Sequence, residues 1–262
     1  MPRFSANITF LFRELALLER FAAARNAGFT AVEILSPEDA SVAELAAAAR
    51  DAGLYVALCN APMGDFIEGG PGLSAVPVRQ AEFRDAIGQA RAMADALQCR
   101  RVHIGPSRVP AGVSWQDCYD VFLENVVYAA DQLAQSGITM TIEPLNSIDT
   151  PDIFLSRVEQ GLRVIDEAGK PNVLLQFDVY HASRMEDDYM AVLEVNIRRI
   201  GHIQVADTPG RGEPGSGELD FPALFNLLDR LSYDGWVGAE YQPSTVTEKT
   251  LGWFGDYRAS CD

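Results

Sequence analysis

The stretch SRVEQGLRVIDEAGKPNVLLQFDV, residues 156–179, places a helical pattern directly before a strand pattern. Apolar residues in its first part recur three and four positions apart, as on one face of an α-helix. Gly169 follows at the position expected for a helix C-cap. The run VLLQFDV is short and mostly apolar, as in a strand that is covered on both faces. The stretch therefore predicts one helix–strand unit of a parallel sheet.

The same alternation runs along the whole chain. Helical patterns separate eight short apolar or β-branched runs, at residues 4–10, 31–35, 55–60, 101–105, 140–145, 173–179, 202–206 and 236–241. Eight such units in 262 residues match a (β/α)8 TIM barrel of usual length. A doubly wound open sheet is the main alternative, but FLFRELAL after the first run lacks the glycines of a phosphate loop. We predict a single barrel domain over residues 1–262.

The composition limits the classes of partner. A formal net charge of −16 repels nucleic-acid phosphates and anionic lipid, so we expect neither nucleic acid nor membrane as a partner. The opening MPRFSANITFLFRE has no apolar core followed by a small-residue cleavage site, so no secretory signal is expected. The four cysteines are scattered without CxxC spacing and indicate reduced thiols in a cytoplasmic protein.

Several predicted strands carry polar residues although both of their faces should be buried. Because side chains alternate along a strand, Ile142 in MTIEPL faces the helices and Glu143 faces the barrel interior. The same alternation directs a further set of polar side chains inward: Glu33, His103, Thr141, Gln176, Asp178, His202, Gln204 and Glu240. Of these, we interpret His202 as a structural residue at the beginning of its strand.

Three of the inward acids and one amide should meet at the carboxyl ends of successive strands, where barrel active sites form. They are Glu143, Asp178, Gln204 and Glu240. Burying unpaired carboxylates is unfavourable, and the runs that carry them contain no Lys or Arg. A metal ion is the simplest compensation. All four donors are oxygens, which Mg²⁺ and Mn²⁺ prefer.

The connection after the third strand, residues 61–77, is too long for a tight turn. Loops of this length are often lids, and Phe66 within it could close over the site. An excursion in which Phe66 packs only on the surface is equally compatible with the sequence.

The motifs IEPLN, QFDVYH, HIQVAD, RGEPGSGE and GWVGAEYQP, in that order, resemble the hydroxypyruvate isomerase family. That family belongs to the xylose-isomerase-like (β/α)8 barrels, together with the ketose 3-epimerases. The segments MPRFSAN, ERFAAARNAGF and GWF also fit, so the resemblance covers nearly the whole chain. It implies Glu143, Asp178, Gln204 and Glu240 as the metal ligands and Glu143 and Glu240 as the catalytic acids. The first forty residues resemble the 2-oxo-tetronate isomerases at least as much.

The resemblance implies isomerisation of a small 2-oxo-3-hydroxy acid, either hydroxypyruvate to tartronate semialdehyde or 2-oxo-tetronate. Such a reaction moves a proton between adjacent carbons through an enediolate, which a divalent ion stabilises. The substrate carboxylate needs a cation, for which Arg211 and Arg108 are the first candidates and Arg184 the third. The predicted substrate-binding residues are His181, Arg211, Glu33, Asn60, His103 and Arg108. Ser147 and residues 103–112 depart from the family pattern, which leaves the exact substrate open.

Three alternative functions are compatible with parts of the pattern. A ketose 3-epimerase would use the same metal and acids on neutral sugars. A non-catalytic barrel could bind sugar acids without turning them over. A metal-dependent endonuclease on the same barrel would need more histidines and a basic face, and three histidines with a charge of −16 argue against it. Barrels of this kind often pair, so a homo-oligomer is expected by analogy only.

Overall fold

A computed structural model describes residues 1–185 and 188–258. Eight parallel strands close into a barrel in which each strand pairs with the next and the last pairs with the first. The strands are β1 Arg3–Asn7, β2 Ala31–Ile34, β3 Tyr55–Asn60, β4 Arg101–His103, β5 Thr139–Ile142, β6 Val173–Asp178, β7 Ile200–Val205 and β8 Trp236–Ala239. The predicted (β/α)8 barrel is confirmed. The assignment of residues 1–262 to a single domain stays a prediction.

Helices surround the barrel and connect its strands. Within the described residues they are α1 Leu17–Asn26, α2 Val42–Asp51, α3 Gln80–Ala96, α4 Trp115–Ala134, α5 Val158–Ala168, α6 Val179–Arg184, α7 Tyr189–Asn196, α8 Phe221–Arg230 and α9 Gly252–Arg258. Short 3₁₀ segments lie at Pro77–Arg79, Ile197–Arg199 and Thr247–Thr250. Across residues 1–185 and 188–258, no helix combines the length and apolar character that crossing a bilayer requires.

The α5–β6 unit shows why the stretch at residues 156–179 folds as it does. Helix α5 buries Val158, Gly161, Val164 and Ala168 on one face. A glycine inside a helix costs about 1 kcal/mol relative to alanine, but Gly161 is where the helix approaches β6. A Cβ atom at this position would lie 2.8 Å from Leu175 Cδ1. The glycine therefore serves close packing between the helix and the barrel wall.

The strand ends differ from the sequence prediction in ways that affect the site. Strands β5 and β8 end at Ile142 and Ala239, so Glu143 and Glu240 lie one residue beyond them, on the rim. Strand β7 begins at Ile200, two residues earlier than predicted. The prediction that His202 begins its strand is therefore wrong, since His202 is the third residue of β7. Its side chain is fully buried, and its imidazole contacts a buried acid.

That acid is Glu33, which lies inside the barrel below the rim. Its carboxylate accepts hydrogen bonds from Ser5 Oγ at 2.5 Å and Gln204 Nε2 at 2.9 Å, and its Oε1 lies 2.9 Å from His202 Nε2. A Cβ atom at Gly238 would lie 2.0 Å from Glu33 Oε1, so only glycine leaves room for the carboxylate there. This part of the barrel interior is therefore polar and hydrogen-bonded rather than filled by apolar layers.

The long connection at residues 61–77 is held down at several points. Arg108 Nη1 donates to the carbonyls of Phe66 at 2.9 Å and Gly70 at 2.7 Å, and its guanidinium lies 4.2 Å from the centre of the Phe66 ring. The buried Phe66 ring packs against Leu145 and Ile153. The connection is thus ordered over the rim near β5, and its role as a lid stays a prediction.

Candidate active site

Four oxygen-bearing side chains meet at the carboxyl ends of β5 to β8, as the alternation along the strands predicts. Glu143 follows β5, Asp178 ends β6, Gln204 is the penultimate residue of β7 and Glu240 follows β8. Their exposed fractions are only 9%, 3%, 0% and 4%, respectively. Since ionised carboxylates are rarely buried without a partner, this cluster is the strongest candidate for a functional site.

Glu143, Asp178 and His181 form a possible metal-binding triad. One ligand atom from each lies within 4.8 Å of the others, which is close enough for a single divalent ion to bridge them. His181 comes from the short helix α6, whose N-cap is Asp178. The triad shares Glu143 and Asp178 with the predicted ligand set, but it contains His181, which the sequence predicts to bind substrate.

The hydrogen bonds of His181 define which of its nitrogens carries the proton. The backbone N–H of Asn146 lies 3.1 Å from His181 Nδ1, and an N–H can only donate, so Nδ1 is an acceptor. Burial and the charge of Arg211 hold the pKa of His181 well below its ordinary value, so the ring is neutral. A neutral ring with an acceptor at Nδ1 carries its proton on Nε2. His181 Nε2 lies 3.6 Å from Asp178 Oδ2 and is therefore a donor facing the site.

The amide of Gln204 has a defined orientation. Its Nε2 donates to Glu33 Oε2 at 2.9 Å and also to Glu240 Oε2, whereas its Oε1 accepts from Gln176 Nε2 at 2.7 Å. The same Gln176 nitrogen lies 3.1 Å from Glu143 Oε2. The amide oxygen of Gln204 is thus directed toward the Glu143 side of the cluster, and its nitrogen is directed toward Glu33 and Glu240.

Arg211 brings positive charge to the cluster. Its Nη2 lies 2.5 Å from Glu240 Oε1 and 3.4 Å from Asp178 Oδ2, and its guanidinium stacks near the rings of Phe10 and Tyr180. Its Nε is buried and has no hydrogen-bond partner among the described residues. Arg211 therefore neutralises part of the acid charge and retains an N–H that can still bind an acceptor.

The loop that carries Arg211 is organised by Asp207. This carboxylate is buried and accepts four backbone N–H groups, from Thr208 and Leu219 on Oδ1 and from Gly215 and Gly217 on Oδ2. Within the loop, Arg211 has a positive φ of 53°, an uncommon conformation for a residue with a side chain. The backbone around Asp207 therefore fixes how Arg211 enters the site.

Asp207→Asn should lower the free energy of unfolding by roughly 3 kcal/mol, because an amide nitrogen would face backbone N–H groups that now donate to a carboxylate oxygen. Urea unfolding followed by circular dichroism measures this change. Asp85→Asn, an equal charge change at an exposed position of α3, is the control and should lower stability by less than about 0.5 kcal/mol. Equal stabilities of the two variants would contradict the role given to Asp207.

The acids of the cluster are hard to ionise together. Burial raises the pKa of Glu143 well above its ordinary value, and the Glu240 and Asp178 carboxylates raise it further. Burial also raises the pKa of Glu240 to about 8 even though Arg211 opposes the rise, and it raises the pKa of Asp178 against the same opposition. One arginine therefore leaves the cluster short of positive charge. A divalent cation bound to these oxygens would supply the missing charge.

The remaining predicted substrate-binding residues differ in the contacts that their side chains make. Asn60, at the end of β3, donates to Met63 Sδ at 3.8 Å, and its buried Oδ1 has no partner in the described part of the chain. His103 Nε2 lies 3.9 Å from Glu143 Oε2, and burial lowers the pKa of His103 to about 3, so its ring is neutral. Glu33 has its carboxylate engaged inside the barrel, and Arg108 holds the long connection. Their roles toward a substrate stay predictions.

Asn7 and Asn146 are among the side chains of the site that were not predicted as site residues. Asn7 Nδ2 donates to Glu240 Oε2 at 3.0 Å, and Asn146 Nδ2 lies 2.7 Å from His181 Nδ1. The sequence indicates both residues. Alternation along FSAN directs the Asn7 side chain into the barrel, and Asn146 is part of the motif IEPLN. Extending the alternation argument to the first strand identifies Asn7 directly.

Comparison with known proteins places these residues in a family context. The model of the xylose isomerase-like TIM barrel matches residues 21–257. The chain is 44% identical over 257 residues to a 2-oxo-tetronate isomerase of Cupriavidus necator, covering 98% of this chain and 99% of that protein. It is 39% identical over 258 residues to the hydroxypyruvate isomerase of Escherichia coli, covering 98% of this chain and 100% of that protein.

A solved structure is also closely similar. The crystal structure of a Brucella melitensis protein described as an AP endonuclease of family 2 superposes with a TM-score of 0.95 at 40% identity. The match covers 98% of this chain and 100% of that one.

Proposed function

The chain belongs to the xylose isomerase-like barrels and, within them, to the family of the hydroxypyruvate and 2-oxo-tetronate isomerases, and from this we propose that it isomerises a small 2-oxo-3-hydroxy acid. Its substrate class includes hydroxypyruvate, converted to tartronate semialdehyde, and 2-oxo-tetronate. The convergence of Glu143, Asp178, Gln204 and Glu240 at one end of the barrel is the observation that carries the proposal.

A divalent ion, Mg²⁺ or Mn²⁺, is the proposed cofactor, with Glu143, Asp178, Gln204 and Glu240 as its ligands. Four oxygen donors and a surplus of buried acid support this choice. His181 is assigned to the substrate instead, because its Nδ1 accepts from Asn146 and its Nε2 carries a proton. When bound, the ion supplies Lewis-acid stabilisation of the negative charge that develops on substrate oxygens.

Glu143 and Glu240 are the proposed acid–base pair. They follow β5 and β8, so they reach the barrel mouth from different sides. One carboxylate removes the proton from the carbon that bears the hydroxyl, and the other returns a proton to the neighbouring carbon. The hydroxyl proton passes to the former carbonyl oxygen, so that hydroxyl and carbonyl exchange places with no net gain or loss of protons. Asn7 and Gln204 donate to Glu240 and hold it in position.

Arg211 is the proposed handle for the substrate carboxylate. Its buried Nε has no partner among the described residues, and its Nη2 already lies in the acid cluster. Arginine binds carboxylates through paired N–H donors. This charge favours a 2-oxo acid over a neutral ketose and so favours an isomerase of acids over the ketose 3-epimerase alternative.

Further features of the protein are proposed from its composition and fold. Three cysteines, Cys59, Cys99 and Cys118, are free and buried, which supports a cytoplasmic location, while Cys261 lies outside the described residues. The acidic net charge disfavours nucleic acid, and hence an endonuclease. Homo-oligomer formation and a single domain spanning the chain are retained as proposals from the fold.

The test is a turnover panel. Protein stripped by chelation and dialysis is assayed on hydroxypyruvate, 2-oxo-tetronate and free ketoses, with and without Mg²⁺ or Mn²⁺. We expect turnover of a 2-oxo acid, at least about 10²-fold faster when the ion is present, because the ion stabilises the enediolate charge by several kcal/mol. Full activity in metal-free protein would contradict the cofactor. Exchange of a ketose C3 proton in heavy water would favour the epimerase, and binding without turnover would favour a non-catalytic barrel.

A further inference from the structure

A glutamine ligand poses a problem that a carboxylate does not. Only its amide oxygen can bind a cation, and a half-turn of the amide would place an NH₂ group there instead. Gln204 is fully buried, so its amide is shielded from bulk solvent. A metal site that includes Gln204 therefore needs a neighbouring group that distinguishes the two ends of the amide.

Glu33 has the chemistry and the position for this task. An ionised carboxylate only accepts hydrogen bonds, so it must face the NH₂ end of the amide. Glu33 Oε2 lies 2.9 Å from Gln204 Nε2, at the opposite end of the amide from the contact of Gln204 Oε1 with Gln176. Glu240 Oε2 accepts from the same nitrogen, but Glu240 is itself a proposed ligand, so Glu33 is the carboxylate that holds this end from outside the ligand set. Both side chains are fully buried.

Glu33 is itself held rigidly and away from solvent. Ser5 Oγ donates to Oε1 at 2.5 Å, and His202 Nε2 lies 2.9 Å from the same oxygen. Because a carboxylate only accepts, His202 carries its proton on Nε2. The absence of a side chain at Gly238 provides the space, since a Cβ there would lie 2.0 Å from Oε1. The carboxylate is thus built into the barrel interior and is not directed at the mouth where a substrate would bind.

We propose that Glu33 is a positioning residue that orients the amide of Gln204, with its oxygen available to the divalent ion, and that it does not bind substrate. The inference rests on the proposed metal site. It replaces the role in substrate binding that the sequence suggests for Glu33, and it gives His202, Ser5 and Gly238 a shared purpose. Such outer partners of metal ligands commonly affect metal affinity about 10- to 100-fold.

Isothermal titration of metal-stripped protein with Mn²⁺ alone tests the proposal without any substrate. Glu33→Gln should weaken Mn²⁺ affinity by about 10- to 100-fold, because its amide can also donate. Gln204 Nε2 would then keep only Glu240 as a carboxylate acceptor, and Glu240 is itself a proposed ligand of the ion. The double variant Glu33→Gln with Gln204→Glu exchanges the amide and the carboxylate and should bind Mn²⁺ within about fivefold of the wild-type protein. Either oxygen of a carboxylate at position 204 can serve as ligand.

Glu159→Gln is the matched control. It makes the same change of side chain at an exposed position of α5, so its Mn²⁺ affinity should stay within about twofold of the wild-type value. Should Glu33→Gln not fold, Gly238→Ala displaces the Glu33 carboxylate while keeping every polar group, and it should weaken Mn²⁺ binding in the same range.

The outcomes distinguish failure of the positioning role of Glu33 from failure of the proposed metal site. Wild-type affinity in Glu33→Gln, or in Gly238→Ala when that variant takes its place, overturns the positioning role and leaves the metal site intact. Failure of the exchanged double variant to regain affinity also counts against it. Absence of Mn²⁺ binding by the wild-type protein overturns the metal site and the inference together.

Discussion

Replacing Glu240 with glutamine should lower kcat for isomerisation of the 2-oxo acid by about 10³-fold, within the range for loss of a general acid–base group. The amide keeps nearly the same shape but cannot take up the substrate proton. The two carboxylate oxygens of Glu240 accept from Gln204 and Arg211, respectively. A glutamine has only one oxygen, so it can keep only one of these two contacts. Initial rates with saturating Mn²⁺ measure the change.

Two comparisons make the Glu240 result interpretable. Glu218→Gln changes the charge equally at an exposed position of the Arg211 loop and should keep kcat within about twofold. Circular dichroism and the thermal midpoint show whether the barrel of Glu240→Gln is intact. A folded Glu240→Gln protein with near-normal turnover would exclude Glu240 from proton transfer, and with it the two-glutamate mechanism.

The barrel and the four clustered donors could be predicted because both follow from simple periodicities. Helical and strand patterns alternate in regular units, and alternation along each strand gives the face of Glu143, Asp178, Gln204 and Glu240. What alternation does not give is height within the barrel. Glu33 and Gln204 both point inward, yet the Glu33 carboxylate ends among Ser5, His202 and the space at Gly238. Only the three-dimensional packing shows that the Glu33 carboxylate is enclosed in the barrel interior while Gln204 belongs to the acid cluster at the mouth.

Loop residues were less predictable for a different reason. Arg108 and Arg211 are equivalent candidates in the sequence, because each follows a strand and carries the same charge. The position of each guanidinium group depends on backbone contacts that no short sequence pattern predicts. Arg108 bonds to the carbonyls of Phe66 and Gly70, whereas the Asp207 carboxylate holds the loop that directs Arg211 toward Glu240.

Arg211→Met should lower kcat/KM for the 2-oxo acid and increase the stabilisation that the protein gains from Mn²⁺. Loss of a paired, charge-assisted contact with the substrate carboxylate should reduce kcat/KM for the 2-oxo acid by about 10²-fold. In metal-free protein, the same change leaves the buried Glu240 and Asp178 without the cation that now contacts both. Removing one partner of a buried ion pair costs about 3–5 kcal/mol, so the thermal midpoint in chelator should fall clearly.

Mn²⁺ should restore much of that lost stability, because the ion takes over the charge balance that Arg211 provides in its absence. The difference in thermal midpoint between chelator and Mn²⁺ should therefore be larger for Arg211→Met than for the wild-type protein. Arg211→Lys keeps the charge but loses the two-pronged geometry, so it should resemble the wild type in stability and Arg211→Met in kcat/KM. If Arg211→Met instead turned over the 2-oxo acid normally while showing the stability effect, Arg211 would be a counter-ion of the acid cluster alone. The substrate carboxylate would then have to be bound elsewhere on the rim.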